Sequence, residues 1–426
     1  MTSTRNTLRI LTGAALLGSV ATLIAPASAA DSHSRGTRDG DVVSVKQVDE
    51  LTAAEVSGRL RGKIDSSRVR YGVTAYQVVY RTTNSSGAPT TASQLVALPR
   101  NAGHRLSPVS WLHGTTVYRK DVASEDPASD DRLAALLFAS TGRAVSAPDY
   151  VGLGEGEGFH PYGDPRATVA ASVDGLRAAR TLTRRKGLEL EREVRVSGFS
   201  QGGPAAMLVG RALQDEGADR YFGLGALAPV SGPFDLSAFE AAAADDRIEK
   251  SGLYLAYFVT AWNKAYGLYR SPGEAFRAPY DQKVEGLFDG DHTTEQLVAE
   301  LPSTARDLFT EDFLNKIRHP SGVLKDRLRP MDHTCDWRPD VPVTIFHGRG
   351  DKDVDFSHAG YCSAQLTRNG ADNRLTDVGD YEHTESMRQA LPRIIRFFDE
   401  PTGSSEGGTG SSPAGTRRDQ LVQQAL

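Results

Sequence analysis

The stretch "RVSGFSQGGPA", Arg195 to Ala205, constrains the fold of this chain more than any other. Val194-Arg195-Val196-Ser197 reads as a strand that ends near Phe199. "GGPAAMLVGRALQDEG" then reads as a helix, with its regular part from Gly203 to Leu213. Ser200 falls on the sharp turn between them, in Gly198-Phe199-Ser200-Gln201-Gly202. The flanking glycines let strand and helix approach closely. By itself the five-residue pattern describes any glycine-rich turn; between a strand and a helix it describes a nucleophile elbow.

The rest of the chain supplies the sheet that such a turn needs. Short apolar runs recur at Pro108–Gly114, Ala144–Tyr150, Leu224–Gly232 and Val341–Gly348, with a weaker one at Arg374–Asp380. Helical patterns alternate with them at Asp130–Ser140, Pro165–Arg185 and His383–Glu400, the last with a kink expected at Pro392. This alternation predicts an α/β fold whose mostly parallel central sheet is covered by helices on both faces. An antiparallel pair, Val69–Tyr80 with Ala92–Pro99, precedes it. From about 234 to 337 no buried-strand pattern occurs, which predicts an inserted helical cap. Within it, "GLYLAYFVTAWNKAYGLY" (Gly252–Tyr269) is apolar on more than one helical face. One face is expected on the sheet domain. The other is expected to line an acyl pocket above Ser200, with Phe258 and Trp262 as candidates.

The ends differ from this core. Arg5 and Arg9, the apolar run Ile10–Ala25 and the small residues Ala27-Ser28-Ala29-Ala30 make residues 1–30 a secretory signal peptide. No later stretch is long and apolar enough to span a bilayer, so a secreted protein without stable membrane insertion is expected. Residues 31–400 are assigned to one domain, polar and loose as far as Asp41, and the Ser/Gly/Pro-rich residues 401–426 to a flexible tail. Lys and Arg number 49 against 54 Asp and Glu, a net charge of −5 that becomes −7 without Arg5 and Arg9. That mildly acidic balance gives no footing for nucleic acid as a partner. Cys335 and Cys362 are a pairable number in an oxidising compartment, the alternative being two buried thiols. Nothing in the sequence indicates an oligomeric state.

A serine hydroxyl needs a base to take its proton and a third group to orient that base. Behind such an elbow the order is serine, acid, histidine. Asp351 follows the run Val341–Gly348 directly, with Asp353 and Asp355 as rivals. The same aspartates open like a calcium loop, but its sixth position is Phe356 and its twelfth Cys362, which excludes it. Among ten histidines, His383 has both the order and the place, on a loop before the last helix. Two backbone amides are needed for a developing oxyanion. Gln201, next to Ser200, supplies one; Thr115, after "VSWLHG", is the candidate for the other, with Thr116 as the fallback. No cofactor is expected, and no metal-ligand cluster is visible.

These residues resemble the α/β-hydrolase superfamily and, more narrowly, the secretory lipases of the lipase-A type. "HGTT" at His113, "PDYVGLGEG" from Pro148, "HPY" at His160, "GFSQGG" at Gly198, "DWRPDVPVTIFHGRGD" from Asp336 and "YEH" ending at His383 carry the resemblance. It spans about 108 to 400. It implies Ser200, Asp351 and His383 as a triad, a helical cap and a small-molecule or lipid ester as substrate. One departure is Asp355, where such enzymes often have proline after the valine. A peptidase or aminopeptidase on the same fold would use the same three residues, and a non-catalytic binding protein would commonly have lost one.

Overall fold

The computed structural model describes residues 39–215 and 219–400, so the expected signal peptide and tail lie outside the described residues. The strands are β1 (Val42–Leu51), β2 (Val73–Thr83), β3 (Pro89–Pro99), β4 (Arg105–Leu106), β5 (Pro108–Leu112) and β6 (Ala144–Val151). They continue with β7 (Glu189–Leu190), β8 (Glu193–Phe199), β9 (Gly223–Val230), β10 (Val343–His347) and β11 (Asn373–Asp377). Nine of them form one sheet in the order β1-β2-β3-β6-β5-β8-β9-β10-β11, and β4 pairs with β7 alone. Pairing is antiparallel from β1 to β6 and parallel from β6 to β11. β5, β6 and β10 are buried along their whole length, as the continuous apolar runs of parallel strands require.

Helices cover both faces. Pro165–Arg185, Gly202–Gln214 and Ser357–Arg368 pack on one side, and Ala53–Leu60, Asp130–Ser140 and His383–Asp399 on the other. Their starts are set locally: Asp164 caps the Pro165 helix by accepting from Ala167 N at 2.8 Å, with proline at the first position. The sequence pattern misses β1. It carries Lys46, Gln47, Asp49 and Glu50 and lies mostly exposed at the sheet edge, where charged side chains are tolerated and no clean alternation is required. It also starts β2 too early: Arg70 and Tyr71 donate to Ser140 O instead of entering the ladder. The last helix continues through Pro392.

Between β9 and β10 the chain adds no strand to the sheet. It forms helices, of which Leu236–Ala244, Ser251–Tyr266, Glu311–Arg318 and Gly322–Asp332 are the longest, around their own apolar cluster. Cys335 and Cys362 are disulfide-bonded, joining the end of this helical stretch to the helix Ser357–Arg368. No helix among the described residues is long and apolar enough to cross a membrane.

Candidate active site

Four loops at the carboxyl ends of β5, β8, β10 and β11 meet at one point, where open parallel sheets present their sites. Ser200 sits between β8 and the Gly202 helix with φ +55°, a left-handed conformation that a serine adopts only at a cost. The turn is fixed by Ser200 N donating to Val230 O at 3.0 Å and by close packing of its glycines. A Cβ on Gly202 would lie 2.0 Å from Leu112 O, and one on Gly198 2.2 Å from Gly202 O, so only glycine fits at either position.

His383 Nε2 is 2.8 Å from Ser200 Oγ, and His383 Nδ1 is 2.7 Å from Asp351 Oδ2. All three residues are at most 8% exposed. Burial alone would raise the Asp351 pKa. Hydrogen bonds from His347 and His383, the His383 charge and the Val354 amide outweigh it and hold the carboxyl well below the usual range. An ionised carboxylate only accepts, so Nδ1 carries the imidazole proton and Nε2 is left to accept from the Ser200 hydroxyl. Asp351 Oδ1 is occupied by the amides of Asp353 (3.1 Å) and Val354 (2.9 Å), which fixes the carboxyl plane. The two rival aspartates have other partners, although Asp353 also lines the Ser200 cavity. Asp353 Oδ2 accepts from Tyr254 OH at 2.8 Å and pairs with Lys250 at 3.3 Å, and Asp355 Oδ1 accepts from Ser357 N.

The loop after β5 lies beside the serine. A Cβ on Gly114 would come within 3.4 Å of Ser200 Cβ. The His113 ring braces this loop at the carbonyls of Gly114 (2.7 Å) and Asp149 (3.1 Å). Thr115 Oγ1 is 2.8 Å from Tyr162 OH, while the Thr116 hydroxyl turns to Tyr118 O. Gln201 begins the helix after Ser200, and its side-chain amide donates to His160 Nε2 at 3.3 Å. His160 Nδ1 donates to Val151 O, and burial pushes its pKa down to about 3, so the ring is neutral and can accept from Gln201.

Ser200 opens into a cavity of about 270 Å³. Its walls include Thr115, Thr116, Asp121, Asp131, Lys250, Leu253, Tyr254 and Met387. Neither Asp121 nor Asp131 forms an ion pair among the described residues, and burial raises the pKa of both.

No protein-family model and no curated protein matches the sequence. Solved structures do match. A protein of Legionella pneumophila described as a candidate hydrolase superposes with a TM-score of 0.77 at 25% identity, over 84% of this chain and 97% of its own. The rice cell wall degrading esterase LipA of Xanthomonas oryzae superposes with a TM-score of 0.74 at 25% identity, over 85% of this chain and 98% of its own. The fold is that of an α/β hydrolase. Candida antarctica lipase A shares it at 15% identity, with a TM-score of 0.59 over 81% of this chain and 78% of its own.

Within this α/β hydrolase two expectations change. His383 is the first residue of the last helix, not part of a preceding loop, because Glu382 takes the capping position. Phe258 and Trp262 do not line the Ser200 cavity. Both are 1% exposed in the cluster of the helical stretch, and Trp262 Nε1 donates to Tyr162 O. The face turned to Ser200 belongs instead to Lys250, Leu253 and Tyr254, one turn and more earlier. The cavity is also more polar than an acyl pocket read from that helix would be. Lys250, Asp121 and Asp131 escaped the sequence reading, whereas Tyr254 lies in the stretch Gly252–Tyr269 and Tyr162 is the tyrosine of "HPY".

Proposed function

We propose that this protein hydrolyses carboxylic esters through an acyl-enzyme on Ser200. The observation that carries the reading is the hydrogen-bonded row Ser200–His383–Asp351 at the wall of the cavity. His383 takes the Ser200 proton as Oγ attacks the ester carbonyl, and Asp351 stabilises the imidazolium that forms. The Gln201 and Thr115 amides hold the oxyanion; each such donor is worth about 3–4 kcal/mol of transition-state stabilisation. His383 then protonates the leaving alcohol and activates the water that releases the acid. The esterase and lipase among the structural neighbours support esters as the substrate class. The small, polar-walled cavity supports short or polar acyl groups over long aliphatic chains. The disulfide supports an exported protein, since such bridges persist in oxidising compartments.

A peptidase reading has one observation in its favour. Asp121 and Asp131, two acidic side chains without an ion pair among the described residues, line the cavity and could meet a free amino terminus. The two readings separate in one panel: kcat/KM on p-nitrophenyl acetate, butyrate, octanoate and palmitate beside aminoacyl p-nitroanilides. The ester reading expects acetate and butyrate to lead and the anilides to be turned over far more slowly. Anilides cleaved as fast as the esters would overturn it, and palmitate in the lead would overturn the assignment of acyl size.

A further inference from the structure

A second cleft, of about 350 Å³, gathers three exposed cations that form no ion pair among the described residues. Arg166 comes from the first turn of the helix Pro165–Arg185, Lys264 from the last turn of Ser251–Tyr266 and Arg327 from Gly322–Asp332. Lys264 Nζ lies 4.3 Å above the Phe159 ring, and the Arg327 guanidinium 4.5 Å above the Tyr266 ring. These aromatic faces seat the cations, and the Tyr266 hydroxyl donates to the Asp164 carboxylate beside them. The β2–β3 turn closes one side with Asn84 and Ser85, and Ser85 Oγ is buried without a hydrogen-bond partner. Glu157 also lines the cleft, exposed like the three cations, and forms no ion pair with them.

Like charges converging from three helices repel one another. Some cations of this chain are paired, Arg132 with Asp49, Arg177 with Asp174 and Asp219, Arg306 with Asp246, whereas Arg180 and Arg192 share the Tyr221 ring without an ion pair among the described residues. The cleft leaves its three open on a protein of net charge −5. An arginine fork matches a planar carboxylate in a bidentate manner, and the neighbouring hydroxyl and amide groups add donors. We propose that this cleft binds the carboxylate of an organic anion.

The site is separate from the scissile bond. Tyr254 lines the Ser200 cavity and Tyr266 lines the cleft, and twelve residues of one helix put them about 18 Å apart. A carboxylate held here is therefore on a remote part of a substrate or on another molecule. Two sources share this chemistry, an acidic sugar and a free fatty acid.

The full-length Ser200→Ala protein, which binds without turnover, is titrated by calorimetry with sodium glucuronate, sodium octanoate and inorganic phosphate, at low and high salt. The proposal expects glucuronate or octanoate to bind, about tenfold more weakly in R166Q/R327Q and more weakly in high salt. Which of the two binds identifies the source. Lys264→Gln should weaken the same ligand by a smaller factor, and it keeps the test open if the double variant fails to fold. No binding of either carboxylate, binding unaffected by both sets of substitutions, or phosphate bound about tenfold tighter than both carboxylates would overturn it. With Ser200 intact, R166Q/R327Q should hydrolyse p-nitrophenyl acetate at the wild-type rate, since neither side chain lines the Ser200 cavity. Failure of the anion site is thereby distinct from failure of the ester reading.

Discussion

At the scale of single residues, three aspartates within five positions have three different partners, and this separates their roles. Asp351 meets His383, Asp353 meets Tyr254 and Lys250, and Asp355 meets Ser357 N. Asp351→Asn keeps the shape but presents an amide to Nδ1. The imidazole then shifts its proton to Nε2 and can no longer accept from Ser200. A loss of about 10³ to 10⁴ in kcat is expected, with little change in melting temperature. Asp353→Asn should mainly raise KM, because Lys250 and Tyr254 are cavity walls that it holds in place. Asp355→Asn should be close to neutral. Kinetics of the three variants on a butyrate ester check this. A larger fall in kcat at Asp353 or Asp355 than at Asp351 would move the acid along the loop.

At the scale of elements, the helix Ser251–Tyr266 divides its two tasks along its length. Its N-terminal turn faces Ser200 through Leu253 and Tyr254, and its middle is core. Leu253→Trp should therefore shrink the cavity and lower kcat/KM for octanoate far more than for acetate. Phe258→Ala should cost about 3–5 kcal/mol of stability without changing the ratio of the two esters. A changed ester ratio for Phe258→Ala at an unchanged melting temperature would return the pocket to the middle of the helix. This division was not legible in the sequence, because apolar residues surround the helix and periodicity cannot say which side meets a cavity. The elbow was legible, since strand, glycines and helix are all local to Ser200. The order of Asp351 and His383 was legible for the same reason, each standing directly behind its strand. Asp121, Asp131 and Lys250 were not. They come from separate segments, and only tertiary packing brings them to one wall. β1 was lost among its own charges, and its place at the sheet edge depends on pairing with β2.

At the scale of the whole molecule, the helical stretch is tied to the sheet by groups that titrate. His358, at the start of the helix that follows the Asp351 loop, accepts from Asp235 N at the start of the stretch. Burial pushes its pKa down to about 4, against the opposing pull of Asp235. A histidine whose folded pKa lies below its unfolded value near 6.5 contributes its full share of stability above that value. The share is lost as pH falls from 6.5 towards 4, at about 1.4 kcal/mol per pH unit. Between pH 7 and pH 5, urea unfolding of the wild type should lose about 2 kcal/mol more than His358→Asn. Equal losses in the two proteins would show that His358 is free to protonate in the folded state. All of this geometry converges on one claim, that Ser200 is a nucleophile activated by His383. The most direct measurement is labelling of the folded protein with a fluorophosphonate, followed by mass spectrometry of the digested chain. The account predicts one adduct, on the peptide containing Ser200, and none after Ser200→Ala or His383→Ala. No adduct on the wild type, or an adduct that persists in Ser200→Ala, would contradict it.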